Sequence, residues 1–209
     1  MRSSTELIYI HDPMCSWCWG FRPCLTRLRS LLPAQVGFRS LLGGLAPDSE
    51  HPMPAQMQQQ LQSTWRLIQQ RIPGTRFNFD FWRLCQPRRS TYPACRAVLA
   101  ARALDPATED AMILAIQQAY YLRAMNPSVE HTLVQLAGEL GLPDTEFREL
   151  LHSKSIEAQL QQEIAGVRDL GVHSYPSLVL RTGTDNHRPV GVDYTDAQIM
   201  LDCIKTLIA

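Results

Sequence analysis

Two cysteines three residues apart, directly after a strand, constrain this chain more than any other feature. The segment "HDPMCSWCWGF" follows "ELIYI", a nearly continuous apolar run. Such a run suits a strand covered on both faces, and Pro13 ends it. From Cys15 or Ser16 the pattern becomes helical through Leu32, with Leu25, Leu28, Leu31 and Leu32 on one face. Pro23 lies inside this stretch and predicts a kink or a break. Residues three apart share a helix face, so Cys15 and Cys18 can approach within disulfide range. Cys15 then sits at the first turn, where backbone N–H groups lack helical partners and the dipole favours a thiolate over a thiol. Cys18 lies deeper. The expected division of labour is Cys15 as nucleophile and Cys18 as resolving thiol.

The rest of the chain supplies a fold for this pair. "QVGFRSLLGGL" reads as a second strand ended by Gly43 and Gly44. Residues 53–170 show only helical patterns: a Gln-rich helix before Arg71, "YPACRAVLAARAL", a helix begun by Asp105 and Pro106 and running to about Met125, "VEHTLVQLAGELG" stopped at Gly141, "TEFRELLHS" capped by Asp144, and a helix from about Ser155 to Gly171. Strands return with "SLVL" and "RPVGVD" around the turn "TGTDN", and "DAQIMLDCIKTLIA" closes as a helix. The order is β-α-β, helices, β-β-α. The predicted fold is α/β, a single sheet built from 1–45 and 171–209, with 46–170 as a helical insertion and the helix near 155–170 leading back.

Composition excludes several classes. The 209 residues carry 20 basic and 20 acidic side chains, which gives no support for electrostatic binding to nucleic acid or a membrane surface. No apolar run has bilayer-spanning length, and "MRSSTELIYI" has no apolar stretch of signal-peptide length, so a cytoplasmic protein is expected. With 45% hydrophobic residues, a chain this long needs no disulfide scaffold. Cys24, Cys85, Cys95 and Cys203 therefore read as small buried hydrophobes.

Other residues belong beside the pair. Trp17, between the cysteines, reads as an apolar lip for substrate, whereas Trp19 and Phe21 are expected to pack beneath the helices. "GVHSYPSLVL" puts Pro176 at the start of a strand, where proline is tolerated, and the Tyr175–Pro176 bond is expected to be cis. His11, Asp12 and His173 are candidates for tuning the thiolate. A metal site would need two more ligands, and no second CxxC or HxxxH occurs. No residue is therefore assigned as a metal ligand, with a Cys-ligated metal-binding module as an alternative.

On "DPMCSWCWGF", "YPACRAVLAAR" and "GVHSYPSLVL", the chain resembles the DsbA-like thioredoxin superfamily, and more closely its FrnE-type branch of predicted protein-disulfide isomerases. Members more often carry Gly-Val before the proline, where this chain has Tyr175. The resemblance implies a thioredoxin fold with a helical insertion, and dithiol–disulfide exchange with protein or small-molecule thiols and disulfides. It implies Cys15 as nucleophile, Cys18 as resolving thiol, and Tyr175–Pro176 as a substrate-binding turn. No cofactor is expected beyond the redox-active pair, with glutathione as a possible co-substrate. The related kappa-class glutathione transferases and 2-hydroxychromene-2-carboxylate isomerases define a glutathione-dependent alternative. They typically use a serine where the first cysteine stands; Ser16 lies inside the CxxC instead.

Overall fold

Apolar strand β1 (Thr5–His11) is the centre of the molecule, as its unbroken apolar run requires. The computed structural model describes residues 5–184 and 186–208. β1 is followed by α1 (Ser16–Leu31) and β2 (Val36–Leu42), then, after the helices, by β3 (Ser177–Thr182), β4 (Asn186–Val190) and α9 (Ala197–Ile208). The sheet order is β2-β1-β3-β4, with β1 and β2 parallel and the other pairs antiparallel. Alternation along β1 then divides its side chains between two cores. Leu7 and Tyr9 join Phe21, Leu25 and Leu28 of α1 and Met200, Leu201 and Ile204 of α9. Ile8 and Ile10 face the other way, onto Leu41, Val179 and Val167.

Between β2 and β3 run α2 (Ala55–Arg71), α3 (Phe81–Leu84), α4 (Tyr92–Leu104), α5 (Glu109–Tyr121), α6 (Glu130–Glu139), α7 (Asp144–Leu151) and α8 (Lys154–Asp169). They enclose a separate apolar core. One end of it is aromatic. Trp65 is buried, its ring centroid 4.8 Å from Phe77 and 5.5 Å from Tyr121. Helix α4 is the axis of this block, with Ala94, Cys95, Ala97, Val98, Leu99, Ala100 and Ala101 all fully buried. Its small side chains let neighbouring helices approach closely. Helix α8 serves both cores: Ile164 belongs to the helical block and Val167 to the sheet.

The local expectations fail in four places. Pro23 does not interrupt α1. It sits on the exposed side of the helix, where water can serve the carbonyl its missing N–H leaves free. The helix expected from Pro106 begins as a 3₁₀ turn at Pro106–Thr108, and α5 stops at Tyr121, before Ala124 with its positive φ of 51°. Asp144 is the first residue of α7 rather than its cap, which is Pro143. Cys85 and Cys203 are only partly buried, unlike Cys24 and Cys95.

Candidate active site

The N-terminus of α1 meets a turn from far down the chain. Cys15 is the N-cap residue, with extended backbone (φ −79°, ψ 117°), and no side chain caps the helix. The Cys15 N–H donates to Asp12 O at 3.0 Å, and its carbonyl accepts from Trp19 N–H at 3.1 Å. These two bonds fix the corner between strand and helix. The Tyr175–Pro176 bond is cis. The Cys15 thiol donates to the Tyr175 carbonyl across 3.4 Å.

Cys15 and Cys18 differ in environment. Cys15 retains 6% exposure while Cys18 has none. Burial holds the Cys18 thiol well above the ordinary range, reinforced by its hydrogen bond with Cys15 and by the Cys15 charge. A backbone bond from Asp12 and the Tyr9 phenol work in the opposite direction. The Tyr9 hydroxyl is held protonated, by burial first and then by the Cys18 and Cys15 charges, so it faces the sulfur as a donor. In the sequence Tyr9 is only an apolar strand residue. Its place on the same face of β1 as Leu7, the face that carries α1, is the signal that could have found it.

The other candidates separate. His11 is fully buried, stacked on Tyr9 with ring centroids 4.8 Å apart, and neither ring nitrogen has a hydrogen-bond partner. Burial, aided by Arg22, pushes its pKa down to about 3. It is therefore neutral near pH 7 and brings no positive charge to the thiols. Asp12, also fully buried, accepts from Met14 N–H at 2.8 Å, Leu45 N–H at 2.7 Å and the Thr91 hydroxyl at 2.6 Å. The Cys95 thiol reaches the same carboxylate at 3.6 Å. Burial raises the Asp12 pKa against the lowering effect of these donors. Asp12 thus clamps the loop before Cys15 to α4 and to the segment after β2. His173 is exposed, and no hydrogen bond joins it to either cysteine.

Trp17 is half-buried, its ring 5.3 Å from that of Tyr194. Trp19 turns inward instead, stacking on Tyr121 and donating from Nε1 to Arg76 O at 3.0 Å. Phe21 is fully buried on the sheet side rather than under the helical block. Tyr175 contributes its backbone to the site, while its hydroxyl donates to Gly43 O at 2.7 Å. No group of three or more His, Cys, Asp or Glu side chains among the described residues is arranged to hold a metal ion.

A family model described as "Thioredoxin" matches residues 8–200. The chain belongs to that thioredoxin family. Among solved structures, a Nitrosomonas europaea protein described as a "putative protein disulfide isomerase" superposes with a TM-score of 0.85 at 26% identity, over 98% of each chain. The cytosolic disulfide reductase DsbM from Pseudomonas aeruginosa, solved with GSH, has a TM-score of 0.76 at 23% identity, covering 97% of this chain and 98% of that one. The fold is therefore the DsbA-like variant of thioredoxin, with helices inserted in the chain. A curated relative, the ClpXP adapter protein SpxH of Halalkalibacterium halodurans, is 26% identical over 182 residues. That match covers 85% of this chain but 59% of the relative, so the chain spans less than two thirds of the length of that protein.

Proposed function

We propose that the protein is a thiol–disulfide oxidoreductase of the DsbA-like group, FrnE-type branch, acting in the cytosol on protein or small-molecule disulfides. The observation that carries this reading is the meeting of Cys15, at the open end of α1, with the backbone carbonyl of Tyr175 at 3.4 Å, above a fully buried Cys18. In the reducing direction the Cys15 thiolate attacks one sulfur of a substrate disulfide. The substrate S–S bond breaks, a Cys15–substrate bond forms, and the departing thiolate takes a proton. Cys15 no longer carries charge in this mixed disulfide. One of the influences that holds Cys18 as a thiol is then removed. Cys18 loses its proton and attacks the Cys15 sulfur, which releases the second substrate thiol. Two electrons have passed to the substrate, and Cys15–Cys18 is a disulfide. A thiol reductant, of which glutathione is the small-molecule example to try, returns it to the dithiol; with an oxidant the sequence runs backwards. The turn at Tyr175 and Pro176 offers backbone groups to the substrate chain, and Trp17 offers an apolar surface beside them.

The test is a pair of variants followed by mass spectrometry and insulin reduction. Cys15→Ser is expected to abolish exchange, and Cys18→Ser to accumulate a mixed disulfide through Cys15. Full insulin reduction by Cys15→Ser would refute the assignment.

A further inference from the structure

Along the side of α1 that faces away from the sheet lies a cavity of about 800 Å³, within the size range of small-molecule sites. The loop after α2, helix α5 and the loop entering α9 close it. Trp19, Leu114 and Tyr194 form apolar walls, and Arg22, Arg27 and Arg76 supply its charge. No aspartate or glutamate among the described residues lines it. Elsewhere on this molecule Arg29, Arg96, Arg102, Arg123 and Arg148 each meet a carboxylate. Arg22 donates to Gln117 Oε1 at 3.2 Å and to the Asp110 carbonyl at 3.3 Å, with the Asp110 carboxylate, paired with Arg29, the favourable charge near it. The guanidinium groups of Arg27 and Arg76 are exposed and make no ion pair.

We propose that this cavity binds an organic anion: an aromatic or apolar body against Trp19, Leu114 and Tyr194, with carboxylate or phosphate groups held by Arg22, Arg27 and Arg76. Three guanidinium groups line this cavity, and each presents a fork of N–H donors that matches carboxylate and phosphate oxygens. An apolar lining adds affinity that a bare inorganic anion cannot gain. The Tyr194 ring forms one wall and also touches the Trp17 ring, so a bound anion borders the CxxC helix. Neither Cys15 nor Cys18 lines the cavity. The inference therefore does not rest on the redox reading, and binding is expected to survive Cys15→Ser.

The probe is 1-naphthyl phosphate, which joins an aromatic body to a dianion, titrated calorimetrically into the reduced protein. Neutral 1-naphthalenemethanol and inorganic phosphate are the comparisons. Saturable binding of one naphthyl phosphate per chain is expected, with both comparison molecules at least about tenfold weaker, since each lacks one half of the recognition. The double variant Arg27→Gln/Arg76→Gln, both at exposed positions, should keep the parent melting temperature and weaken naphthyl phosphate by about tenfold or more. Absence of saturable binding overturns the proposal. So does equal affinity for the neutral alcohol, or an unchanged affinity in the double variant.

Discussion

The cysteine pair is held from two sides by different means. On the sheet side the support is packing: Phe21, Leu25 and Leu28 press the helix that carries the cysteines onto Leu7 and Tyr9. On the helical-block side the support is polar. Asp12 ties the loop to Leu45 and Thr91, and the Tyr121 hydroxyl donates to the Met14 carbonyl at 2.7 Å. Farther along, Arg102 pairs with Glu163, and Glu163 accepts from the Leu42 N–H at 2.8 Å. Packing is tolerant of small displacements and supplies most of the free energy. Hydrogen bonds are directional, and they fix where the loop stands relative to the proline turn. The comparison teaches that stability and placement of this site are drawn from different residues.

The largest effect is expected where packing is cut. Phe21→Ala removes a fully buried ring shared by α1, β1 and Tyr194, and should cost about 4 kcal/mol in chemical denaturation. A loss under about 1 kcal/mol would mean that the sheet side is not the main source of stability. Next comes the polar side. Asp12→Ala strands the Met14 and Leu45 N–H groups and the Thr91 hydroxyl, at a cost of about 3 kcal/mol. It should also slow the alkylation of Cys15 or change its pH profile, because the loop loses its anchor. Stability loss with an unaltered Cys15 profile would erase the distinction between placement and packing.

The smallest of the three is conditional on pH. His11 is neutral when folded, with a pKa of about 3, whereas an unfolded histidine titrates near 6.5. Between those values the unfolded chain binds the extra proton. His11 therefore withdraws stability as pH falls from about 6.5 towards 3, by roughly 2 kcal/mol at pH 5. Asp12 has the opposite sign: its raised folded pKa favours the native state at acid pH, and that benefit declines as pH rises through the raised value. Replacing His11 by Phe should remove its own term, so that the variant's stability relative to the parent improves between pH 7 and pH 5. An unchanged difference at the two pH values would show that His11 titrates normally.

Much of this architecture was legible in the residues. A two-sided apolar run followed by a CxxC at a helix start can be read locally, and so can Tyr-Pro ahead of "SLVL". What stayed hidden depends on contacts across long stretches of chain. Asp12 meets Thr91 from 79 positions away, and nothing near either residue announces it. Tyr9 looks apolar until its hydroxyl is seen beside Cys18. Four-residue α3 is too short for any period to emerge, and it folds where its aromatic residues gather around Trp65. Pro23 misled because its rule concerns a missing donor, while the cost depends on which side of the helix meets water.

Gly43 has one more implication. A methyl group built on it would fall 2.2 Å from the Tyr175 ring, whose hydroxyl already bonds the Gly43 carbonyl. The absent side chain at one position and the bulky one at the other behave as a lock and its key. Anyone reshaping the turn must recut both together: a smaller residue at 175 leaves a hollow above position 43, and any larger residue at 43 drives the turn off its seat.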